Sequence, residues 1–78
     1  MTATMTDLTC PKAVKVRVGC KVAWYDYRDY DDALQAQKYA RHMAQRWLAE
    51  GYDYGWLIPG EMKAREDADG VWWTVTMP

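Results

Sequence analysis

The sequence predicts an α+β domain in which one amphipathic helix packs against a three-stranded antiparallel sheet. Three features predict it: an alternating apolar segment near the start, a helical stripe of small apolar residues in the middle, and two alternating segments around a turn signal near the end. Half of the residues are hydrophobic and 27% are charged, which is the composition of an ordinary globular domain. A length of 78 residues allows one core and leaves no room for a second domain. We expect a flexible N-terminal tail over residues 1–12 and a single domain over residues 13–78.

The first strand is predicted from an alternation that begins at Val14. Its apolar members are Val14, Val16, Val18, Cys20, Val22 and Trp24, with mostly charged residues between them. A two-residue turn at Gly19 and Cys20 would pair Val18 with Lys21 and mix the two sets. The unbroken alternation therefore predicts one long strand, bent or bulged at Gly19.

The helix is predicted over residues 32–50. One face carries its apolar stripe, which consists of Ala33, Ala36, Ala40, Met43, Ala44 and Trp47. Asp32 followed by Gln35 fits a capping box at the start, and Gly51 suits the end. The alanines of the stripe should let the helix approach the sheet closely.

The remaining strands are predicted from two further alternations. Over residues 52–58 one set alternates with another, Tyr52, Tyr54, Trp56 and Ile58 against Asp53, Gly55 and Leu57. This alternation predicts a second strand, which Pro59 and Gly60 interrupt with a turn or bulge before it resumes at Met62. Residues 67–70 form a turn signal, and residues 71–77 form the last strand. In this hairpin Met62 and Ala64 should share a face with Trp73 and Val75.

The order of elements, β-α-β-β, predicts the topology of the sheet. Placing the last strand between the other two makes all neighbours antiparallel and lets the helix cover one face, as in a split βαβ unit. The predicted sheet order is 1-3-2. Parallel pairing of the first two strands remains an alternative.

The residues that catalysis and metal binding require are missing from the pattern. His42, the single histidine, projects from the polar face of the helix, and Cys10 and Cys20 have neither redox nor zinc spacing. We expect free thiols, with Cys20 in the core, and neither enzymatic activity nor a cofactor or metal. No signal peptide or membrane-spanning run is recognisable, so we expect a cytoplasmic protein.

Carboxylates and tyrosines should converge at one end of the domain. The chain direction brings the connection after the first strand beside the turn of the final hairpin, and these two segments hold seven of the eleven acidic residues. We name this predicted surface the acidic pole: Tyr25, Asp26, Tyr27, Asp29, Tyr30, Asp31, Asp32, Glu66, Asp67 and Asp69. It suits a basic protein partner, although aspartates also occur in helix caps and turns for backbone reasons.

The face of the sheet that the helix leaves uncovered is the alternative binding surface. Its outward residues should form what we name the basic face: Lys15, Arg17, Lys21, Lys63, Arg65 and Trp72. Cations around an aromatic platform are how sheet surfaces hold single-stranded nucleic acid. Solvated charges on an open sheet would look the same in the sequence.

Five Trp, six Tyr and no Phe favour a binding role, because Trp and Tyr are enriched at contact hot spots. Residues 18–27 (VGCKVAWYDY) and 51–60 (GYDYGWLIPG) resemble stretches of small proteins from phages and other mobile elements. Together with the size and the acidic aromatic pole, the chain resembles anti-CRISPR inhibitors of type I-C systems. The resemblance implies a cytoplasmic inhibitor, in a bacterial host, that blocks the basic DNA-receiving surface of an effector complex. We expect a monomer, with self-association through strand edges or Trp72 as the alternative.

Overall fold

A computed structural model describes residues 9–78 of the chain and contains one helix and one four-stranded antiparallel sheet. The elements are β1 (Lys15–Val18), β2 (Ala23–Tyr27), α1 (Tyr30–Ala49), β3 (Met62–Asp67) and β4 (Gly70–Met77). The sheet order is β1-β2-β4-β3. The predicted three-stranded sheet of order 1-3-2 is therefore wrong, for two separate reasons.

The first reason is that the predicted long strand is a hairpin. Val18 pairs with Ala23, and the Gly19 amide donates to the Val22 carbonyl at 2.7 Å, so the chain reverses at Cys20 and Lys21. This turn lies one residue later than the turn that the pattern argued against. Because of this one-residue shift, Trp24 shares a face with Arg17 and lies on the opposite side of the sheet from Val16 and Val18. The exposed Cys20 lies at the hairpin tip rather than in the core.

Gly19 is needed beside this turn because an aromatic ring lies against its backbone. A Cβ atom at this position would lie 2.9 Å from Cζ3 of Trp24 and 3.0 Å from the Val22 carbonyl oxygen. The glycine that suggested a bend within a strand thus makes room for Trp24.

The second reason is that residues 52–58 form a loop instead of a strand. The Asp53 carboxylate accepts a hydrogen bond from the Gly55 amide at 2.8 Å, and Gly55 has a φ of +66°, which an extended strand does not allow. Lys21 also donates to the Asp53 carbonyl at 2.8 Å, which ties the loop to the β1–β2 turn. The alternation of these residues therefore resembles that of a strand, but the turn at Asp53 and Gly55 prevents a strand from forming.

The helix is present as predicted, and its buried residues Ala33, Ala36, Ala40 and Ala44 all belong to the predicted stripe. It begins at Tyr30, because the Asp29 side chain caps it and accepts from the Asp31 amide at 2.8 Å. The predicted capping box is wrong, since the Gln35 amide donates to Thr9 instead. Small side chains let α1 lie close to β4 and β2.

The core lies between α1 and the two middle strands, β2 and β4. Tyr27, Val75 and Met77 pack there against the helix alanines. The predicted final hairpin is confirmed, because Met62 pairs with Val75 and Ala64 pairs with Trp73. β4 contributes to the core along most of its length.

The segment before β1 packs against this core. The Tyr27 hydroxyl donates to the Pro11 carbonyl at 2.6 Å and lies 3.5 Å from the Cys10 sulfur. Burial, followed by the hydrogen bond with Cys10, raises the pKa of Tyr27 far above its usual value. Residues 9–12 of the predicted tail are thus in contact with the domain, and residues 1–8 lie outside the described part.

Within residues 9–78, α1 lacks the apolar length that crossing a membrane would require. The same residues include no cluster of three or more histidine, cysteine or carboxylate side chains placed to hold a metal ion.

Candidate functional site

The two segments of the acidic pole meet at one end of the domain. Arg28, which directly follows β2, donates to the carbonyls of Val71 at 2.9 Å and Asp69 at 2.6 Å. These bonds fix the start of α1 beside the β3–β4 turn. The structure thus brings residues 26–32 next to residues 66–70.

Two members of the acidic pole are buried and do not belong to any contact surface. Asp26 is 0% exposed and Tyr27 is 1% exposed. Tyr25 is half-buried on the helix side of the sheet, with its ring centroid 6.5 Å from that of Tyr27. The pattern missed the burial of Asp26 because a carboxylate next to other carboxylates resembles a surface residue.

Asp26 forms a buried ionic network under the sheet face opposite α1. Its carboxylate accepts from Thr74 Oγ1 at 2.6 Å, from Arg65 at 2.8 Å and from Arg17 at 3.3 Å. Burial by itself would raise the pKa of Asp26, but these hydrogen bonds and the two arginine charges outweigh burial and hold the pKa below its ordinary value. Asp26 is therefore a structural anion at the centre of the sheet.

Three other carboxylates of the pole are occupied by local partners. Asp67 accepts from the Asp69 amide, from the Trp72 indole and from Arg65 at 2.8, 3.1 and 3.1 Å, and these bonds lower its pKa. Asp69 pairs with Lys15 at 3.6 Å. Asp29 caps the helix.

The exposed part of the pole that remains available consists of Tyr30, Asp31, Asp32 and Glu66. The three carboxylates are exposed and have no ion pair within residues 9–78. The Tyr30 ring rests edge-on against Trp73, with centroids 4.8 Å apart, and is about half exposed. The result is a small anionic surface with one aromatic side chain held in place.

The basic face is only partly as predicted. Lys15, Arg17, Lys63 and Arg65 lie on the uncovered side of the sheet, because their register partners alternate with the core residues. Lys21 does not, since it lies at the hairpin tip. Asp26 also neutralises much of the charge of the two arginines.

Trp72 is covered rather than displayed. It is 2% exposed, because the Arg28 guanidinium lies 3.6 Å from its ring centroid and the Lys15 ammonium lies 4.7 Å away. Arg65 lies 5.9 Å from the same ring. These cation–π contacts cover the indole ring of Trp72, which was predicted to stack with nucleic-acid bases.

A cleft on the same face was not predicted. It has a volume of about 350 Å³ and is lined by Trp24, Trp56, Leu57, Ile58, Glu61, Lys63, Thr74 and Thr76. Trp56 is 87% exposed, which is unusual for so large an apolar side chain. The assignment of residues 52–58 to a strand hid this cleft, although Gly55 and Gly60 could have indicated a loop.

The exposed part of the acidic pole and the cleft beside Lys63 are two functional candidates among the described residues. They rest on geometry and charge. Comparisons with models of protein families, with curated proteins and with solved structures find no match for the chain.

Proposed function

We propose that the protein is a non-enzymatic, cytoplasmic binding protein that docks onto a basic protein surface through the exposed part of the acidic pole. The observation that carries the proposal is that Asp31, Asp32 and Glu66 are exposed at the same end of the domain without an ion pair in the described residues. Anionic side chains held on ordered elements speed and orient the approach of a cationic partner.

The carboxylates of this surface lie on regular secondary structure, which favours specific docking. Asp31 and Asp32 lie in the first turn of α1, and Glu66 lies in β3 opposite Val71. The Arg28 hydrogen bonds join the two elements. A preorganised surface loses little conformational entropy when it binds.

The resemblance to anti-CRISPR proteins gives the proposal a specific form. The partner would be the DNA-receiving surface of a type I-C effector complex in a bacterial host. Carboxylates of the pole would occupy sites that DNA phosphates otherwise fill, so the protein and DNA would compete.

Charge reversal at the exposed part of the pole is the direct test. We expect Asp31→Lys, Asp32→Lys and Glu66→Lys each to weaken binding to a purified type I-C effector complex about five- to tenfold, because each replaces an attraction with a repulsion. Biolayer interferometry at several salt concentrations measures both the affinity and its salt dependence.

Glu50→Lys is the matched control, since Glu50 is exposed at the opposite end of α1 and the charge change is the same. It should leave binding unchanged. Equal binding by the control and all three pole variants would refute the acidic pole as the docking surface. Failure of the wild-type protein to bind the complex or to displace DNA would refute the CRISPR-specific form.

Single-stranded nucleic acid binding is the second candidate, and the cleft beside Lys63 favours it. Trp24 and Trp56 line this cleft, and base stacking on an aromatic side chain contributes about 1–3 kcal/mol per base.

We expect oligonucleotide binding, if this second function is right, to fall steeply with added salt. Trp56→Ala should abolish most of it, whereas Tyr52→Ala, at an exposed tyrosine that does not line this cleft, should not. A fluorescence titration with single- and double-stranded oligonucleotides at low salt measures both effects. No binding at low salt would exclude this candidate and leave the acidic pole.

A further inference from the structure

The outer edge of the sheet at β1 carries unpaired backbone groups. β1 is the end strand of the order β1-β2-β4-β3, so one of its edges has no neighbour in the described chain. The Gly19 amide donates to the Val22 carbonyl, and hydrogen-bonding direction alternates along a strand. The N–H and C=O groups of Arg17 therefore face β2, while those of Val16 and Val18 face outward.

The side chains of this edge are apolar on one face and exposed. Val14, Val16 and Val18 are 63%, 50% and 81% exposed. Val16 and Val18 lie on the helix side of the sheet, since they pair with Tyr25 and Ala23, but α1 packs on β4 and β2 and does not cover β1. An exposed apolar edge of this kind is either an aggregation hazard or a site for an added strand.

The opposite face of β1 carries two cationic side chains, Lys15 and Arg17, and Arg17 is only partly neutralised because it shares Asp26 with Arg65. Lys15 and Arg17 reach Asp69 at 3.6 Å and Asp26 at 3.3 Å, yet their side chains remain 49% and 53% exposed. A strand added to this edge would place its own side chains directly beside these two cations. Carboxylates at those positions would be attracted, and further cations would be repelled.

The charges argue against a second copy as the added strand. In a symmetric antiparallel pair centred on Val16, Lys15 of each copy would lie opposite Arg17 of the other. Two such like-charged pairs would oppose self-association. Charge complementarity instead selects a strand that carries acidic residues.

We propose that β1 accepts, as an added strand, an extended segment of a partner protein in which apolar residues alternate with aspartate or glutamate. The apolar residues pack beside Val16 and Val18, and the carboxylates pair with Lys15 and Arg17. This surface shares no residue and no ion pair with the exposed part of the acidic pole, so it would be a second contact surface with the opposite charge preference.

The test uses an end-capped, fluorescein-labelled heptapeptide in which valine alternates with glutamate. We expect it to bind the full-length protein in a fluorescence anisotropy titration and to shift the amide resonances of Val16 and Val18. The matched peptide with lysine in place of glutamate should bind at least about tenfold more weakly, a difference of about 1.4 kcal/mol.

Val16→Pro tests the backbone contribution. Its outward N–H makes no bond to β2, so proline removes an edge donor without breaking the ladder, and peptide affinity should fall about tenfold. Val18→Glu, which keeps the backbone and adds a charge at an exposed position, should weaken the glutamate peptide similarly. Leu48→Glu, at an exposed apolar residue of α1, is the control and should have no effect.

Several results would overturn the proposal. They are absence of binding at millimolar peptide, equal affinity for the lysine peptide, and unchanged affinity of a folded Val16→Pro or Val18→Glu variant. Sedimentation that shows a dimer disrupted by Val16→Pro would assign the edge to a second copy instead.

Discussion

Asp26→Asn is expected to lower the free energy of unfolding by about 2–4 kcal/mol, because it removes the buried anion that two arginines share, while the partial exposure of both arginines keeps the loss below that of a fully buried pair. Arg65 would then keep only Asp67 as its ionic partner, and its Nε atom already has no hydrogen-bond partner in the described residues. A loss of this size approaches the whole stability that a core of about 70 residues supplies. Chemical denaturation followed by tryptophan fluorescence measures it.

The same carboxylate should determine how stability depends on pH. The folded pKa of Asp26 is lowered, so its contribution is complete above the unfolded value of about 3.9 and is lost as the pH falls through the folded pKa. Wild-type stability should therefore decline on acidification below about pH 4–5, and Asp26→Asn should show a shallower decline. Thr74→Val, which removes a hydrogen bond to the ionised form, should raise the folded pKa of Asp26 toward the unfolded value, so that the decline is smaller and ends at a higher pH.

Asp67→Asn is the matched control for the buried charge. It removes a carboxylate that also contacts Arg65, but Asp67 is exposed and an asparagine oxygen can still accept from the Asp69 amide. The loss should be much smaller than for Asp26. Equal losses at the two positions, or an unchanged acid profile in Asp26→Asn, would show that the network does not stabilise the fold.

Gly60→Ala is expected to cost about 2–4 kcal/mol, which combines backbone strain with overpacking. Gly60 has a φ of +88°, and a Cβ atom there would lie 2.5 Å from Cγ of Arg41. The residue cannot shift freely, because its amide donates to the Thr76 carbonyl at 2.6 Å and its carbonyl accepts from Gln37 at 2.9 Å. Thermal and chemical denaturation should both report the loss.

Gly55→Ala separates the two causes. Gly55 also has a positive φ, +66°, but a Cβ atom there would meet nothing within 4 Å, so only backbone strain applies. Adding Arg41→Ala to Gly60→Ala should recover the steric part of the loss, since it removes the crowded Cγ atom. Equal losses at Gly55 and Gly60 without recovery would contradict the packing of α1 against this glycine.

The helix and the final hairpin were predictable because each depends on nearby residues. The alanine stripe from Ala33 to Ala44 has helical spacing, and the turn at residues 67–70 fixes the pairing of Ala64 with Trp73. The first hairpin was not predictable in the same way. Its turn at Cys20 and Lys21 lacks turn-forming residues, while the nearby Gly19 serves Trp24 instead.

The convergence of the two segments of the acidic pole was predicted, but the burial and pairing of its members were not. Chain direction was enough to bring residues 26–32 beside residues 66–70. The burial of Asp26 was not foreseeable, because it depends on Arg65 and Thr74, which are far away in the sequence and lie beside it only once the strand order is known. The cleft at Trp56 was missed because an Asx turn at Asp53 overrides an apparently regular alternation.

The central position of β4 has a consequence for biosynthesis. β4 follows the other strands of the sheet in chain order, yet it inserts between β2 and β3 and supplies Val75 and Met77 to the core. A lone β1–β2 hairpin and an unsupported α1 are marginal in water. While the ribosome is still translating residues 70–77, the nascent chain should therefore remain unfolded and accessible to chaperones and proteases. It should fold in one cooperative step after β4 leaves the exit tunnel.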